Sequence, residues 1–554
     1  MPTCSFKSCF ICAALLLSLA VTRAGLAADA PAADVPAADR PIHEVIDHFV
    51  DARIERQNVE SAKQADDLTF VRRVTLDLAG RIPTTAEVRG YVDSSDGEKK
   101  ISTIDRLLES PDFAFHQQNE LNAVLMLGRN TSNEWRQYLL EAVRENRPWN
   151  QMFREMMLGR EDDPKQATAL SFLKVRASSV DDMTIDASRI FFGVAINCAK
   201  CHDHPLVLDW QQDHYFGFTS FFSRTYLTKK GTLAEKHGGE VKFKTTEGKE
   251  KQAKFMFLTG ATIEEPKSER SAEQRKKDDA EVKLQMKDEK APAPKAPAFS
   301  PRSEFVKLAL ADSDSPFLAR SIINRTWARL MGQGLVHPLD QMHSENEPSH
   351  PKLLDWLARD LMAHNYDLRR LVRGIVLSNA YARSSRWEGE GEPPLAELFA
   401  VAIVRPLTPE QYALSLQVAT SNPTSFPSDF ASEDWAKRRE SMENGARGFA
   451  SKIERPSEHF LVSVDEALLF SNNEQIERDF LRDSGDRLIG TLKTIEDQQQ
   501  MIETAFWAVN SRPPAAEEAA AMDAYLSARK ERSDEALKQL VWSMITGPEL
   551  RFNY

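Results

Sequence analysis

A nine-residue motif, NCAKCHDHP at residues 197–205, constrains this chain more than any other part of its sequence. Cys198 and Cys201 are three positions apart, and His202 follows directly. The other three of the five cysteines lie within the first twelve residues. If two cysteines and the twelve histidines were scattered at random, this arrangement would arise in on the order of one chain in ten thousand. The motif therefore calls for a chemical explanation.

The N-terminal segment has the pattern of a secretory signal peptide. Lys7 is its only early charge, an apolar run ends before Arg23, and small residues follow. The apolar run is shorter than the roughly 20 residues that a membrane span requires. We therefore predict a cleaved signal peptide over residues 1–28 and a linker rich in Ala, Pro and Asp over residues 29–40. Cleavage would leave two cysteines in an exported, periplasmic or extracellular protein.

Covalent haem attachment accounts for all three residues of the motif. The thiols of Cys198 and Cys201 would form thioethers with the haem vinyl groups, and His202 would be the proximal ligand of the iron. The expected cofactor is one covalent haem c per chain. Haem c is attached outside the cytoplasm, so the motif and the predicted signal peptide indicate the same compartment.

Two other chemistries use the same residues. Cys198, Cys201, His202 and His204 are four potential zinc ligands, although structural zinc usually takes its second pair of ligands from a distant segment. Alternatively, Cys198 and Cys201 form a disulfide or a redox dithiol, although no strand-helix-strand pattern surrounds them and His202 then has no role. The spacing alone leaves these alternatives open.

The composition is that of a soluble globular protein, with 42% hydrophobic and 28% charged residues. The formal net charge of −12 argues against nucleic acid as a partner. After the predicted signal peptide, no apolar run is long enough to cross a membrane. Glycine is scarce, whereas leucine, alanine, arginine and glutamate are abundant, so we predict a mainly α fold.

Helical patterns cover most of the chain from Pro41 onwards. Apolar residues recur at helical spacing from Ile42 to Phe49, and Gly80 and Pro83 end a second helix. Thr84 and Glu87 form a capping-box pattern that starts the next helix. The last helix before the motif is expected over about 184–196, which would place the cysteines near its C-terminal end.

The pattern changes between the two helical parts of the chain. Residues 227–265 alternate in polarity, with a turn at Glu247 and Gly248, and predict a small β-rich insert. Residues 266–300 are first charged and then rich in proline and alanine, which predicts a flexible linker. We therefore expect two helical domains, at 41–226 and 301–554, separated by the insert and the linker.

The C-terminal part shows helical patterns but no catalytic motif. Pro351 is placed to start a helix, and the leucines that follow it share one face. The sequence contains no serine nucleophile elbow, phosphate-binding loop or zinc-protease helix. No catalytic residue is assigned, and whether the protein is an enzyme is left open.

Longer stretches of the sequence resemble a known pair of domains. RRVTLDLAGRIPTTAEV, RIFFGVAINCAKCHDHP and DWQQDHYFGFTSFF resemble the planctomycete-type secreted cytochrome-like domain, a family of unknown function. ARSIINRTWARLMGQGLVHPLDQM and EPSHPKLLDWLARDLMAHNYDLRRLVRGIVLSNAY resemble the domain that usually follows it, and residues near the C-terminus resemble the end of that second domain. The resemblance implies a secreted, haem-binding protein whose haem residues are Cys198, Cys201 and His202.

The resemblance supplies neither a substrate nor a distal iron ligand. Small cytochromes c carry the motif near their start and an axial methionine later, whereas this motif lies deep inside a larger helical domain. The candidates for a distal ligand are Met256, Met183, His204 and His214, and a vacant sixth position is a further alternative. The aromatic run from Tyr215 to Phe222 could line a haem pocket or belong to the hydrophobic core, and both can hold.

Three hypotheses of function follow. The first is a c-type haem protein that transfers single electrons to an extracytoplasmic redox partner. The second is a non-enzymatic binding or assembly module that contacts another exported protein and uses the cysteine pair as a disulfide or metal site. The third is a haem-assisted or hydrolytic enzyme that acts on an extracellular polymer.

Overall fold

The computed structural model describes residues 36–37, 39–205, 207–267, 270–311, 316–427, 429–430, 432–456, 464–472 and 474–554. The chain divides into two units at Arg40, and Pro41–Tyr554 is the larger, compact unit. The predicted signal peptide, residues 1–28, lies outside the described residues, and so does most of the predicted linker at 29–40. No helix in the described ranges is long and apolar enough to cross a membrane.

The first part of the compact unit is helical up to residue 222. Its elements are α1 (Ile42–Arg56), α2 (Asp67–Ala79), α3 (Thr85–Val92), α4 (Lys99–Glu109), α5 (Pro111–Met126), α6 (Asn133–Arg144), α7 (Trp149–Leu158), α8 (Pro164–Ala167), α9 (Ser171–Lys174), α10 (Val180–Phe192), a 3-10 turn (Asn197–Lys200) and α11 (Gln212–Phe222). The expected capping box is present: Thr84 Oγ1 accepts from the Glu87 backbone N–H, and the Glu87 carboxylate accepts from the Thr84 backbone N–H. Gly80 caps α2 with a φ of 69°, as the sequence indicated.

The insert consists of short antiparallel hairpins. Its strands are β1 (Thr225–Leu227), β2 (Leu233–Glu235), β3 (Lys242–Lys244), β4 (Glu250–Gln252), β5 (Phe255–Met256) and β6 (Thr262–Ile263), paired in sequence order. The predicted turn at Glu247 and Gly248 joins β3 to β4, where Gly248 has a φ of 80°. Residues 266–300, expected as a charged linker, contain the exposed helix α12 (Ala272–Lys287), in which Gln285 is the one buried side chain among those described.

Helices dominate again from residue 301. The elements are α13 (Pro301–Ala311), α14 (Phe317–Met331), α15 (Pro351–Ala363), α16 (Leu368–Leu377), a 3-10 turn (Ala396–Leu398), β7 (Arg405–Pro406), α17 (Pro409–Thr420), a 3-10 turn (Pro423–Ser425), α18 (Glu433–Ala450), α19 (Val464–Asn472), α20 (Glu474–Asp479), α21 (Leu488–Leu492), α22 (Gln498–Val509), α23 (Ala516–Ser527), a 3-10 turn (Lys530–Arg532), α24 (Ser533–Ile545), α25 (Pro548–Arg551) and β8 (Phe552–Asn553). The fold is mainly α, as predicted. Pro351 begins α15, and Leu353, Leu354, Leu357 and Leu361 are buried as expected.

Two hydrophobic cores hold the compact unit together, and they do not follow the two predicted helical domains. The larger core runs from Ile42 to Ala400 and therefore includes helices from both parts, such as α10 packed on α14 and α11 packed on α13. The smaller core contains residues from Leu407 to Leu550, together with Leu76 of α2 and Ile82. Helices from both parts thus share one core. The predicted boundaries of the two helical domains stay a prediction.

Candidate functional site

The chain changes direction just before the cysteine motif. Helix α10 ends at Phe192 because Gly193 adopts a φ of 67°, so the expected continuation of this helix to residue 196 is wrong. The chain then pairs with a distant segment: Ala195 N donates to the carbonyl oxygen of Asp340 at 2.8 Å, and Met342 N donates to that of Gly193 at 3.0 Å. The motif is therefore anchored to the C-terminal half of the protein.

Cys198 lies within a 3-10 turn, Asn197–Lys200, and Cys201 caps the end of this turn. Residues three apart lie on the same side of a 3-10 helix, so this backbone places Cys198 and Cys201 on one side of the turn. Both thiols are free and both residues are exposed to solvent. The two thiols are therefore accessible to one reagent from the same direction.

His202 is held in one tautomer by a backbone carbonyl. Its Nδ1 atom lies 2.7 Å from the carbonyl oxygen of Asp203. A carbonyl oxygen can only accept, so Nδ1 carries a proton, and in the neutral ring Nε2 therefore keeps a free lone pair. The side chain is exposed, and Nε2 has no hydrogen-bond partner among the described residues. This is the arrangement of a histidine that binds a metal through Nε2.

The loop after His202 is fixed by the start of α11. Gln212 N donates to Asp203 Oδ1 at 2.8 Å, and Gln212 Nε2 donates to the Lys200 carbonyl oxygen at 3.4 Å. Both ends of the segment from Lys200 to Asp203 are thus tied to one residue. The backbone that orients His202 is therefore supported from outside the motif.

The Asp181 carboxylate and the buried Tyr215 also hold the 3-10 turn in place. Asp181 Oδ2 lies 2.6 Å from Lys200 Nζ, and Asp181 Oδ1 accepts from the Tyr215 hydroxyl at 2.6 Å. The hydrogen bond from Lys200 and then that from Tyr215 lower the pKa of Asp181. Burial and the contact with Asp181 raise the pKa of Tyr215, so the tyrosine stays protonated at neutral pH.

His204 and His214 are held in the opposite tautomer to His202. His204 Nδ1 accepts from Val207 N at 3.1 Å, and His214 Nδ1 accepts from Gln211 N at 3.3 Å. In a neutral ring that accepts at Nδ1, the proton is on Nε2. Burial lowers the pKa of His214, which keeps that ring neutral at pH 7. Neither ring presents a free nitrogen lone pair of the kind that His202 has.

One methionine candidate lies in the core, and the other is half-buried against α11. Met183 is fully buried in α10 and belongs to the larger core. Met256 in β5 lies against Gly217 of α11, where an added Cβ would come within 2.5 Å of the Met256 Cβ atom. Packing accounts for both side chains, and among the described residues neither is joined to His202 by a hydrogen bond.

The aromatic run after the motif is part of the hydrophobic core. The ring centroids of Phe218 and Phe222 each lie 5.2 Å from that of Phe305, and Phe192 packs against the same group at 5.8 Å from Phe305. These rings fill the space between α10, α11 and α13. Of the two interpretations offered by the sequence, the structure shows core packing.

Leu208 gives the loop an apolar outer surface. Its side chain is 84% exposed, the largest exposure among the exposed large hydrophobic side chains of the described residues. Its neighbours Val207 and Trp210 are buried, so the loop is anchored on the inside while Leu208 faces solvent. One apolar side chain is thus exposed six positions after His202.

The loop also contacts the second helical part through residues that the sequence did not single out. Asp209 Oδ2 accepts from Ser344 N at 2.8 Å, and Asp209 Oδ1 accepts from Ser344 Oγ at 2.7 Å. Asp209 and His343 line a cavity of about 290 Å³ beside this contact. Burial lowers the pKa of His343, and nearby His204 acts in the same direction. No local pattern reveals contacts between residues more than 130 positions apart.

The residues of the motif fit covalent haem better than a four-ligand zinc site. Cys198, Cys201 and His202 offer two exposed thiols on one side of a turn and a free Nε2 atom. The zinc alternative needs His204 as well, but that ring already accepts a backbone hydrogen bond at Nδ1. Among the residues that the structure describes, no group of three or more His, Cys, Asp or Glu side chains could hold a metal ion.

Fold and site together define a mainly helical protein that presents a Cys-x-x-Cys-His motif at its surface. Residues 45–226 match the family model PSCyt2, described as a protein of unknown function (DUF1549), and residues 301–444 match PSD1, described as a protein of unknown function (DUF1553). The chain therefore carries both domains in the order expected from its sequence. No curated protein and no solved structure matches the chain.

Proposed function

We propose that this protein is an exported carrier of one covalently attached haem c and that it transfers single electrons. Cys198 and Cys201 would hold the porphyrin through thioether bonds, and His202 Nε2 would bind the iron. The bound haem would supply a one-electron redox centre. The compartment follows from the predicted signal peptide and agrees with the extracytoplasmic attachment of haem c.

The observation that carries this proposal is the hydrogen bond between His202 and the backbone of Asp203. A proton fixed on Nδ1 leaves Nε2 as the ligand atom, and the bond from Nδ1–H to a carbonyl oxygen makes Nε2 more basic. Neither His204 nor His214 has this arrangement, although both lie close by in the sequence. One histidine of the three is thus prepared as a ligand.

The surroundings of the motif support a rigid attachment site. Gln212 donates to the Lys200 carbonyl oxygen on one side of His202 and to the Asp203 carboxylate on the other, and Asp181 pairs with Lys200 within the motif itself. A fixed ring orientation keeps the geometry of a redox centre similar in its two oxidation states, which favours fast electron transfer. Because both cysteines and Leu208 are exposed, a haem attached there would lie at the surface, where a redox partner could approach it.

None of the four candidate side chains is proposed as a distal ligand. Met183 is in the core, Met256 packs on α11, and the two histidines accept backbone hydrogen bonds at Nδ1. Recruiting any of them would break packing or a hydrogen bond. We therefore favour a sixth position that is open to solvent or to a small ligand.

A haem stain on a denaturing gel tests the proposal. The full-length chain is expressed in a host that matures cytochromes c, and the exported wild-type protein is compared with His202→Ala and with the matched control His204→Ala. The proposal predicts a stained band for the wild type and for His204→Ala, and a weak or absent band for His202→Ala. A protein that is exported and folded but unstained would favour the alternative, a binding module in which Cys198 and Cys201 form a disulfide or a metal site.

A further inference from the structure

A cavity far along the chain from the cysteine motif has the features of a ligand site. It measures about 580 Å³ and lies between the start of α2 and the C-terminal residues from Asn510 to Tyr554. This volume is within the range of about 300–1,000 Å³ that is typical of small-molecule sites. No residue of the cysteine motif lines it, so the inference is independent of the proposed haem. We call it the Arg72 cavity.

Arg72 is a buried cation without a carboxylate partner. Its side chain lines the cavity and the residue is 2% exposed. Nη2 donates to the carbonyl oxygen of Glu549 at 2.6 Å, but Nε and Nη1 have no hydrogen-bond partner. None of the ion pairs among the described residues includes Arg72. A buried guanidinium without a counter-charge is costly, so an anionic ligand group would stabilise it.

Two of the three carboxylates that line the same cavity, Glu518 and Glu549, share one cation. The third, Asp66, accepts from the Thr69 backbone N–H. Arg512 Nε lies 2.6 Å from Glu549 Oε1, and Arg512 Nη1 lies 2.7 Å from Glu518 Oε2. These two glutamates share one arginine, and their remaining negative charge would repel a ligand with two negative charges. The cavity therefore favours a single carboxylate over a phosphate.

Two uncharged oxygen atoms of the lining have no hydrogen-bond partner. Asn510 Oδ1 and Ser511 Oγ are buried and have no hydrogen-bond partner. Asn510 Nδ2 donates to Glu549 Oε2 at 2.6 Å. This hydrogen bond fixes the orientation of the amide, and its oxygen is the atom that has no partner. Ser511 has a φ of 60°, a strained conformation for a residue other than glycine. Buried oxygen atoms without donors would accept hydrogen bonds from ligand hydroxyl groups.

The ring of Tyr554 adds a flat wall. The guanidinium carbon of Arg72 lies 5.4 Å from the centroid of this ring, and Leu68 and Val404 also line the cavity. A flat apolar wall beside polar groups suits a ligand that has one face of C–H bonds and several hydroxyl groups. Arg386, exposed and in none of the described ion pairs, adds a third positive charge to the lining, after Arg72 and Arg512.

We propose that the Arg72 cavity binds a small hydroxylated carboxylic acid of the sugar-acid class. The ligand carboxylate would accept from Arg72 Nε and Nη1, and ligand hydroxyl groups would donate to Asn510 Oδ1 and Ser511 Oγ. A face of the ligand would lie against Tyr554. Each unpartnered polar group of the cavity then gains a partner.

Calorimetric titration of the purified, exported protein with D-glucuronate tests this site, with D-glucose as the uncharged probe of similar size. We expect glucuronate to bind and glucose to bind at least tenfold more weakly, because only glucuronate offers a partner for the guanidinium. Arg72→Met should abolish binding, whereas Arg482→Met, an exposed control, should leave it unchanged. The absence of glucuronate binding, equal binding of glucose, or preference for inorganic phosphate would each overturn the proposal.

Ser511→Gly keeps the test decisive if Arg72→Met does not fold. Glycine adopts a φ of 60° without strain, so this variant should be at least as stable as the wild type. It lacks the hydroxyl group that accepts from the ligand, and glucuronate should bind roughly three- to tenfold more weakly. If Arg72→Met does not fold, unchanged glucuronate affinity in a folded Ser511→Gly protein would show that the cavity is not the binding site. If Arg72→Met folds, unchanged affinity in both variants would show the same.

Discussion

The Nε atom of Arg439 in α18 lies 2.6 Å from Oδ1 of Asp112 in α5, and both side chains are almost completely buried. Asp112 also lies 2.8 Å from Arg81, and Arg439 also pairs with Glu443. The two family matches therefore meet at a buried ionic network as well as at a shared apolar core. Buried charges contribute specificity only when each has its partner, and the loss of one partner is costly.

Removal of one member of this network should destabilise the whole compact unit. Arg439→Met leaves the Asp112 and Glu443 carboxylates with one cation fewer, and we expect a loss of about 3–5 kcal/mol in the free energy of unfolding. Urea denaturation followed by circular dichroism measures it. Arg482→Met, which removes a solvent-exposed pair with Asp486, should cost less than about 1 kcal/mol. Equal losses in the two variants would contradict this view of the network.

Glu87 should make stability depend on pH in the acid range. Burial alone would raise the pKa of its carboxyl, but Arg81, with smaller help from Arg106 and the Thr84 backbone N–H, lowers the pKa from 4.5 to about 2. A lowered folded-state pKa stabilises the protein fully above about pH 4.5, and this contribution, roughly 3 kcal/mol, is lost as the pH falls towards 2.

Glu87→Gln isolates that contribution, because glutamine can still close the capping box with Thr84. The wild type should be more stable than the variant at pH 7, and the difference should shrink steadily between pH 4.5 and pH 2. Urea titrations at four pH values across this range measure the difference. A difference that stays constant with pH would show that the carboxylate charge is not the cause.

Gly193 should not tolerate a side chain, because it turns the chain into the motif. Its φ is 67°, and an added Cβ would lie 2.9 Å from Met342 Sδ. We expect Gly193→Ala to lower the free energy of unfolding by more than about 1 kcal/mol. Gly90, exposed within α3 with open space around it, gives a control of opposite sign: Gly90→Ala should raise stability by roughly 0.5–1 kcal/mol. Thermal unfolding of both variants distinguishes conformational strain from a general effect of alanine.

Met183 should behave as a core residue and not as an iron ligand. Met183→Ala should cost about 2–5 kcal/mol because the side chain is fully buried, whereas Met183→Leu should cost less than about 1.5 kcal/mol. The visible spectrum of haem-loaded Met183→Leu should equal that of the wild type, since leucine keeps the volume but cannot bind iron. A shifted Soret band in Met183→Leu with normal stability would identify Met183 as the distal ligand.

Local sequence patterns predicted the helices and their ends well. The apolar spacing of Ile42 to Phe49, the Gly80 cap and the capping box of Thr84 and Glu87 all depend on residues a few positions apart, and each is present. The end of α10 was placed too late because the apolar residues up to Ile196 continue the helical pattern, while Gly193 ends the helix with a left-handed cap.

The supports of the candidate site could not be predicted, because they come from distant parts of the chain. Asp340 and Met342 pair with the backbone on either side of Val194, and Asp209 binds Ser344. The tautomer of His202 depends on the conformation of the loop, which the motif letters do not specify. The division of the compact unit into two cores likewise depends on which helices pack together, a tertiary property that periodicity within one helix does not contain.

The intact mass of the exported protein under denaturing conditions tests the central claim most directly. Covalent attachment through Cys198 and Cys201 predicts a polypeptide heavier by one haem, with a pyridine haemochrome spectrum of the c type, and the loss of both signals or a change to single-thioether attachment in Cys201→Ala. A wild-type protein from cells that mature other cytochromes c, with the mass of the bare polypeptide or with a disulfide between the two cysteines, would contradict the claim.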